Sequence, residues 1–393
     1  MVEIKNKVNC TGCGACANIC PVNAISLQPD CDGFYYPKID MDKCIHCDKC
    51  DQSCPMKNDF LWNENNAPKC FACALKDTEE LFFVSSGGAF WALTQVILSQ
   101  KGIVYGAVQN SVFDVHHMRA ETLEEAASIR RSKYLQSSIG ETYRQVKRDL
   151  DNNRIVLFSG TACQVSGLQG FLGKDYNSLV TCEVVCHGVP SIKAFQSYIS
   201  ELESKHLDKV KHIIFRDKSF GWKNNHIRIM FAKGEDICEP SVENSFHSAY
   251  LQGLFYRPSC GQCKFARIPR VADITLADYW QYNGELLENN NNRGISLVLC
   301  STQKGLRALE QSRIYMDIQQ TSIQDALKSC WHLNHSPKES GKRNQFFTAL
   351  HNSGYEKAVG ICNQKSFKGK IKTVVRKLSF VFKHNSISKR KEL

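Results

Sequence analysis

The chain has 393 residues, of which 42% are hydrophobic and 20 are cysteine, and its formal net charge is +11. This length and apolar content exclude a disordered or fibrous chain and allow two or more folding units. Residues 366–393 contain nine of the Lys and Arg residues but only one acidic residue, so nucleic-acid binding by the folded body is not expected.

The first residues of the chain lack the apolar core of a signal peptide, and no segment approaches 18 consecutive apolar residues. We therefore expect a cytoplasmic protein. In a reducing compartment, clustered cysteines bind metal more often than they form disulfides.

The first sixty residues contain two copies of a Cys-x2-Cys-x2-Cys-x3-Cys-Pro repeat. This spacing is typical of ferredoxins with two 4Fe-4S clusters, in which the fourth cysteine of each run ligates the other cluster. A pair of zinc sites is the alternative, but zinc sites do not usually show this triple spacing. We predict two ligand sets, the first formed by Cys10, Cys13, Cys16 and Cys54, and the second by Cys20, Cys44, Cys47 and Cys50.

Between the two runs, Asp32-Gly33 predicts a hairpin-like turn beside an aromatic, strand-like segment. Cys31 belongs to neither run, and we interpret it as a packing residue.

From about residue 67, strand-like segments alternate with helix-like segments. Residues 102–106 and 154–158 are predicted strands, and residues 90–100 and 138–150 are predicted helices. The predicted fold class is an α+β ferredoxin-like N-terminal domain followed by an α/β domain. The predicted boundaries are 1–62 for the first domain, 63–310 for the second and 311–393 for a C-terminal extension.

Four further cysteines suggest a third 4Fe-4S cluster. Cys163 and Cys186 follow strand-like segments beside glycine, where loops gather in an open α/β sheet. Cys260 and Cys263 form a Cys-x2-Cys pair that needs two distant partners. The alternative is that these cysteines are ordinary buried core residues.

Cys70 and Cys73 form an additional Cys-x2-Cys pair in a strand-like segment. We interpret them as packing residues rather than as a redox dithiol.

Seven motifs in order resemble those of the family of coenzyme F420 hydrogenase/dehydrogenase beta subunits, over roughly residues 70 to 300. They are SSGG at 85–88, VYGA at 104–107, SKYxQS at 132–137, SGTxCQ at 159–164, CHGxPS at 186–191, FRDK at 215–218 with GW at 221–222, and Cys260-x2-Cys263 with ADI at 272–274. One departure is Ala162, which stands where many family members have proline.

The resemblance implies a flavoprotein with an iron-sulfur cluster inside the flavin domain, so the second predicted domain is expected to be an α/β flavin-binding domain. It also strengthens the hypothesis of the third cluster. It also implies FAD contacts in three motifs. On pattern alone, the SSGG turn is either an anion site at a helix start or a plain helix cap. The implied contacts are Ser86, Gly87, Gly88, Lys133, Tyr134, Gln136, Ser137, Ser159, Gly160 and Thr161.

A 4Fe-4S cluster passes single electrons, whereas a flavin accepts single electrons and delivers pairs. The predicted function is therefore a flavin-dependent oxidoreductase that relays electrons through clusters to a flavin, which exchanges two electrons with an organic or deazaflavin-type substrate. The alternative is an electron-transfer subunit without its own substrate, serving a partner enzyme. Expected partners are an electron donor or acceptor protein such as ferredoxin and a small-molecule substrate.

His187, Lys133 and Tyr134 lie in these motifs and are acid-base candidates. A structural role is the favoured interpretation for each of them, and no catalytic residue is assigned.

Residues 371–382 place apolar side chains at a helical period among Lys and Arg, which predicts a basic amphipathic helix. Such a helix could lie on the inner, anionic membrane surface or dock on a partner protein. The alternative is a solvated helix packed on its own domain.

Overall fold

The computed structural model describes residues 2–60 and 67–363, and the predicted basic helix lies outside this range. The strands are β1 (Ile25–Pro29), β2 (Tyr35–Ile39), β3 (Lys69–Leu75), β4 (Ile103–Gln109), β5 (Val115–Ala120), β6 (Val156–Thr161), β7 (Leu179–Val184), β8 (Val210–Asp217), β9 (His226–Phe231), β10 (Asp236–Pro240), β11 (Ile274–Asp278), β12 (Ser296–Cys300) and β13 (Met316–Thr321).

The α-helices are α1 (Ala15–Ile19), α2 (Lys49–Gln52), α3 (Ala89–Ser99), α4 (Leu123–Ala127), α5 (Thr142–Asp151), α6 (Ala162–Leu172), α7 (Ile192–His206), α8 (Ser245–Leu251), α9 (Glu285–Asn289), α10 (Gln303–Gln311), α11 (Ile323–Ser329), α12 (Arg343–Ser353) and α13 (Tyr355–Asn363). Across the described ranges, none of these helices has the length and apolar character needed to span a bilayer.

The largest sheet has the strand order β13-β3-β12-β11-β7-β6-β4-β5. Its centre is parallel, because β11, β7, β6 and β4 run in one direction, and antiparallel strands flank them. β3 also runs in this direction, since two antiparallel steps separate it from β11. The carboxyl ends of all five strands therefore lie along one edge, where loops of an open α/β sheet form sites.

Helices cover both faces of this sheet. One face packs against α3 and α10, and the other packs against α5 and α6 beside β4 and β6. Two covered faces explain why the central strands are nearly continuous apolar runs. The prediction of an α/β arrangement in this region is confirmed.

One of the two helix predictions is accurate, and the other begins too early. Residues 90–100 correspond to α3, whereas the helix predicted from residue 138 begins only at Thr142. Ser138 instead forms a β-bridge with His116, and Gly140 takes a positive φ of 50° before the helix starts. The bridge removes the first turn of the expected helix.

A second apolar core surrounds the antiparallel sheet β10-β9-β8 and the helices α7, α8, α12 and α13. Phe34, which lies between β1 and β2, is buried in this core. The predicted turn between these strands is confirmed, with Gly33 at a positive φ of 84°. Cys31 is exposed, so its interpretation as a packing residue is wrong.

The sheet continues beyond the boundary predicted at residue 310, because β13 pairs with β3 at its edge. β3 contains Cys70 and Cys73, and both are buried in the sheet as packing residues. Burial raises the pKa of the Cys70 thiol to about 11.

Candidate iron-sulfur and flavin sites

The first three cysteines of the N-terminal run lie beside the last cysteine of the second run. Burial raises the pKa of Cys13 to about 12, and the nearby thiols of Cys10 and Cys54 also raise it. Burial raises the pKa of Cys16 as well, and the same neighbours contribute. The structure thus brings together the predicted set Cys10, Cys13, Cys16 and Cys54, which we call the first quartet.

The complementary set lines one pocket in the N-terminal region. The backbone N–H of Val2 donates to Cys50 Sγ at 3.3 Å, and that of Ala24 donates to Cys20 Sγ at 3.2 Å. Such bonds stabilise a thiolate. This second quartet consists of Cys20, Cys44, Cys47 and Cys50.

The third predicted set also converges, at the carboxyl edge of the sheet. Cys163 lies in the first turn of α6, and Cys186 follows β7. The thiol of Cys186 interacts electrostatically with the other three, and its pKa is raised mainly by burial. We call Cys163, Cys186, Cys260 and Cys263 the third quartet.

Polar hydrogens point at the third quartet. The backbone N–H of Gly188 donates to Cys186 Sγ and that of Val189 donates to Cys260 Sγ, both at 3.3 Å. Buried thiols that are crowded together and receive N–H donors form a donor set suited to an iron-sulfur cluster. Within residues 2–60 and 67–363, no three His, Cys, Asp or Glu side chains are placed to hold a single metal ion.

The first and third quartets are neighbours. A Cβ added to Gly167 of α6 would lie 3.0 Å from Cys13 Sγ. The hydroxyl of Tyr143 lies 2.9 Å from the carbonyl of Cys13 and 2.7 Å from that of Gln164. One layer of side chains therefore connects the N-terminal region to the helix that carries Cys163.

The SSGG turn lies after β3 at the same edge. The hydroxyl of Ser86 donates to the carbonyl of Ile295 at 2.7 Å. A Cβ on Gly87 would lie 2.2 Å from the carbonyl oxygen of Cys73, and Gly88 starts α3 at a positive φ of 82°. Backbone packing thus requires glycine at 87, and the positive φ favours glycine at 88. The hydroxyl of Ser296 accepts from the N–H of Ala89, the first residue of α3, at 3.4 Å.

The side chains of the SKYxQS segment contact several neighbouring parts of the chain. The Lys133 ammonium donates to four backbone carbonyls of residues 128–131 at 2.7 to 3.2 Å. Burial lowers its pKa to about 7. The ring of Tyr134 stacks on Phe215 with centroids 5.1 Å apart, and Ser137 Oγ accepts from Gln164 Nε2 at 3.0 Å.

Gln136 has a role that sequence reasoning missed. Its side-chain N–H groups donate to the carbonyls of Thr11 and Gly12 at 3.1 and 3.2 Å. It therefore binds the loop of the first cysteine run. No local pattern indicates a contact between residues 125 positions apart.

The SGT turn lies against a histidine that sequence reasoning also missed. His117 Nε2 lies 2.9 Å from the carbonyl of Ser159, and the imidazole stacks on Phe158. Burial lowers the pKa of His117 to about 4, so the ring is neutral at pH 7. The ring lies near Gly160, and its Nδ1 is buried without a hydrogen-bond partner. An unpaired acceptor of this kind fits a ligand hydroxyl.

Thr161, the last residue of this turn, caps the N-terminus of α6. Its backbone N–H donates to Gln164 Oε1 at 3.0 Å, and its hydroxyl lies 3.2 Å from Cys163 Sγ.

An aromatic and charged group lies beside the SSGG turn, at the end of β11. Arg216 donates to both carboxylate oxygens of Asp278 at 2.8 and 2.9 Å, and the indole N–H of Trp222 donates to the same carboxylate. Trp222 stacks on the partly exposed Trp280, with centroids 4.7 Å apart. Lys218 joins this group to the turn by donating to the carbonyl of Ser86 at 2.6 Å.

His187 follows Cys186 of the third quartet, and its ring contacts those of Tyr250 and Tyr256. Burial lowers its pKa to about 4, and its ring lies 4.2 Å from that of His332. It is neutral at pH 7, and its acid-base role stays a prediction.

Two regions of the chain match known protein families. Residues 153–325 match the family described as coenzyme F420 hydrogenase/dehydrogenase, beta subunit (C terminus), and residues 9–58 match the 4Fe-4S dicluster domain. The family resemblance is confirmed. The first of these matched regions contains the whole third quartet, and the dicluster region contains the whole of the other two. The SSGG and SKYxQS motifs lie before residue 153, outside both matched regions.

Two curated relatives match parts of the chain. It is 23% identical over 165 residues to the F component of the F(420)H(2) dehydrogenase of Methanosarcina mazei, which is 39% of this chain and 46% of that protein. It is 37% identical over 59 residues to an uncharacterized polyferredoxin-like protein of Methanocaldococcus jannaschii, which is 13% of this chain and 35% of that protein. The chain thus spans less than half the length of either relative.

One solved structure is also similar, that of the F420-reducing [NiFe] hydrogenase complex from Methanosarcina barkeri. The similarity has a TM-score of 0.46 and 17% identity, and it covers 67% of this chain and 84% of the matched chain.

Proposed function

We propose that this protein is an iron-sulfur flavoprotein oxidoreductase that relays single electrons to a flavin. The flavin would exchange two electrons with an organic or deazaflavin-type substrate. The observation that carries the proposal is the convergence of twelve cysteines into three quartets, with the first packed against the third. Such an arrangement suits one-electron carriers placed in series.

In this proposal, each quartet holds one 4Fe-4S cluster and the loops at the carboxyl edge of the sheet hold FAD. The clusters supply one-electron chemistry and the flavin links it to two-electron chemistry. The chain itself supplies thiolates, N–H donors to sulfur and a buried environment. The ten residues of the three motifs remain the proposed flavin contacts, and His117 joins them through its unpaired Nδ1.

The proposed division of labour follows the predicted domains, with a ferredoxin-like part over 1–62, a flavin and cluster part over 63–310 and an extension over 311–393. A ferredoxin-type protein is the proposed electron partner, and a small molecule is the substrate. The relative whose name specifies F(420)H(2) supports a deazaflavin-type substrate. A cytoplasmic location with a peripheral membrane contact through residues 366–393 belongs to the same proposal.

An electron-transfer subunit without its own substrate is the second candidate. The same relative favours it, because that relative is one subunit of a dehydrogenase by name. Turnover of a small molecule by the isolated chain with an artificial electron donor would favour the oxidoreductase. Absence of turnover in a fully loaded sample would favour the second candidate.

The cofactor content can be tested by anaerobic purification with iron, sulfide and flavin measured together. We expect about twelve iron atoms, about twelve sulfides and one flavin per chain, as three 4Fe-4S clusters require. A preparation that contains no iron or no flavin after reconstitution would contradict the proposal.

A further inference from the structure

Arg257 is a fully buried cation in the described structure, and it lies just before the Cys260-x2-Cys263 pair. Its backbone carbonyl accepts from the N–H of Cys260 at 2.9 Å, so it belongs to the loop that presents the third quartet. A buried charge without an anionic partner is strongly destabilising, so the surroundings of this guanidinium need an explanation.

The guanidinium reaches into the N-terminal region. Nε donates to the carbonyl of Cys10 at 2.8 Å, and Nη2 donates to the carbonyl of Tyr35 at 2.6 Å. Nη1 donates to Gln136 Oε1 at 3.1 Å, and Nη2 lies 3.7 Å from Cys10 Sγ. All the oxygen acceptors are uncharged. Among residues 2–60 and 67–363, no carboxylate forms an ion pair with Arg257.

Residues of the N-terminal region leave room for this cation. Gly12 lies in the first cysteine run with a positive φ of 70°, and a Cβ there would lie 2.8 Å from Arg257 Nη1. The face of Tyr36 lies 4.5 Å from the guanidinium carbon. A glycine and an aromatic face thus hold the charge against the Cys10 thiol.

The same charge acts on the third quartet. Arg257 lies three residues before Cys260, whose backbone N–H donates to its carbonyl, and its guanidinium interacts electrostatically with the thiols of Cys163 and Cys260. The guanidinium therefore lies within electrostatic reach of thiols from two quartets. The second quartet has no such contact with Arg257 among its described interactions.

We propose that Arg257 is a redox-tuning residue, whose buried positive charge raises the reduction potentials of the first and third quartets relative to the second. This inference rests on the proposed function. Cluster-bound thiolates would supply the negative charge that Arg257 otherwise lacks. Each one-electron reduction adds one further negative charge to a cluster, which the guanidinium stabilises.

The test is an EPR-monitored redox titration of the anaerobically purified full chain. For Arg257→Gln, we expect two of the three cluster signals to shift by about 60 mV or more to lower potential, which is a tenfold change in a one-electron equilibrium. The third signal stays unchanged. Arg257→Lys keeps the charge and gives a smaller shift.

Arg343→Gln is the matched control, because Arg343 donates to the carbonyl of Tyr256 and stacks on Phe347 without contacting a cysteine. Its potentials should equal those of the wild type. Unchanged potentials in an Arg257→Gln protein with full iron and sulfide would overturn the inference, as would an equal shift of all three signals.

A second pair of variants decides the matter if Arg257→Gln loses iron. Gln136→Glu places a carboxylate beside Nη1, whereas Gln136→Leu removes the same amide contacts without adding charge. We expect lower potentials for Gln136→Glu than for Gln136→Leu, and equal potentials would refute the tuning role. A wild-type chain without clusters would instead refute the proposed function, so the two failures are distinguishable.

Discussion

The cysteines of the third quartet differ from the packing cysteines of the sheet by their mutual contacts. Cys163 is partly buried in the first turn of α6 and Cys182 is buried within the neighbouring β7, but only Cys163 belongs to a quartet. We expect Cys163→Ala to lose about four iron atoms per chain, because a 4Fe-4S cluster needs its four ligands. Cys182→Ala is the control and should keep all its iron. Equal iron contents in the two variants would argue against the third cluster.

His117 gives a second prediction for a single residue. Its pKa is about 4 in the folded chain because of burial, compared with about 6.5 in an unfolded chain. The unfolded state therefore binds the proton first, and stability is lost as pH falls from about 6.5 towards 4. Relative to His117→Gln, which keeps an N–H donor but does not titrate, the wild type should lose about 2 kcal/mol between pH 7.5 and 5.

Thermal midpoints measured across this pH range check the prediction. The substitution His116→Gln changes the adjacent, partly exposed ring and controls for the loss of an imidazole in β5. Parallel pH profiles for wild type and His117→Gln would contradict the assignment of a buried neutral ring.

The grouping of the eight N-terminal cysteines was predictable at this scale, because their spacing is local and typical of one chemistry. The first and second quartets agree with the sets expected from the repeat. Gln136 and His117 were not predictable, because their partners are distant in sequence and neither residue type is diagnostic. The environment of Lys133, surrounded by carbonyls, depends on a local backbone turn that composition does not specify.

At the carboxyl edge of the large sheet, the SSGG turn packs closely against the backbones of β3 and β12. At Gly87, a Cβ would meet backbone atoms of two strands, the carbonyl of Cys73 and the N–H of Ser296 at 2.5 Å. We expect Gly87→Ala to destabilise the chain by about 3 kcal/mol, because backbone atoms in a sheet cannot yield as a side chain can. Differential scanning calorimetry provides the measurement.

Gly360 in α13 is the matched control, since a Cβ there meets no atom within 4 Å. Gly360→Ala should raise stability by up to about 1 kcal/mol through helix propensity. If both alanine variants melted at the same temperature, the close backbone contact at Gly87 would not contribute to the stability of the chain.

Helices and strands whose own sequence shows a clear apolar pattern were predicted well. The apolar period of α3 and the β-branched run of β4 correspond to the expected segments. The start of α5 was misplaced because Ser138 pairs with β5, and a single bridge leaves no mark on the helical period. Strand order also depends on non-local pairing, as in the pairing of β3 with β13.

In the whole molecule, the N-terminal region is attached through side chains of α5. Arg144 donates to the carbonyls of Asn18 and Cys20 at 2.7 and 3.0 Å. Arg144→Ala should increase amide hydrogen exchange throughout residues 2–60 while the exchange of the large sheet stays unchanged. Hydrogen-exchange mass spectrometry measures both regions in one experiment.

Arg148→Ala serves as the control, because Arg148 lies one turn later on α5 and is exposed. It should leave both regions at wild-type exchange rates. An Arg144→Ala profile identical to that of Arg148→Ala would show that the attachment depends on other contacts.

Helix α6 also sets a distance. Cys163 and Gly167 are four residues apart, which corresponds to about 6 Å along a helix axis. Cys163 contributes a thiol to the third quartet, and Gly167 lies against Cys13 of the first quartet, so the helix fixes the spacing of these two points. Because a helix does not stretch, the separation of the two quartets can change only where Cys13 packs on Gly167. In the proposed function, that contact would set how fast an electron passes between the first and third clusters.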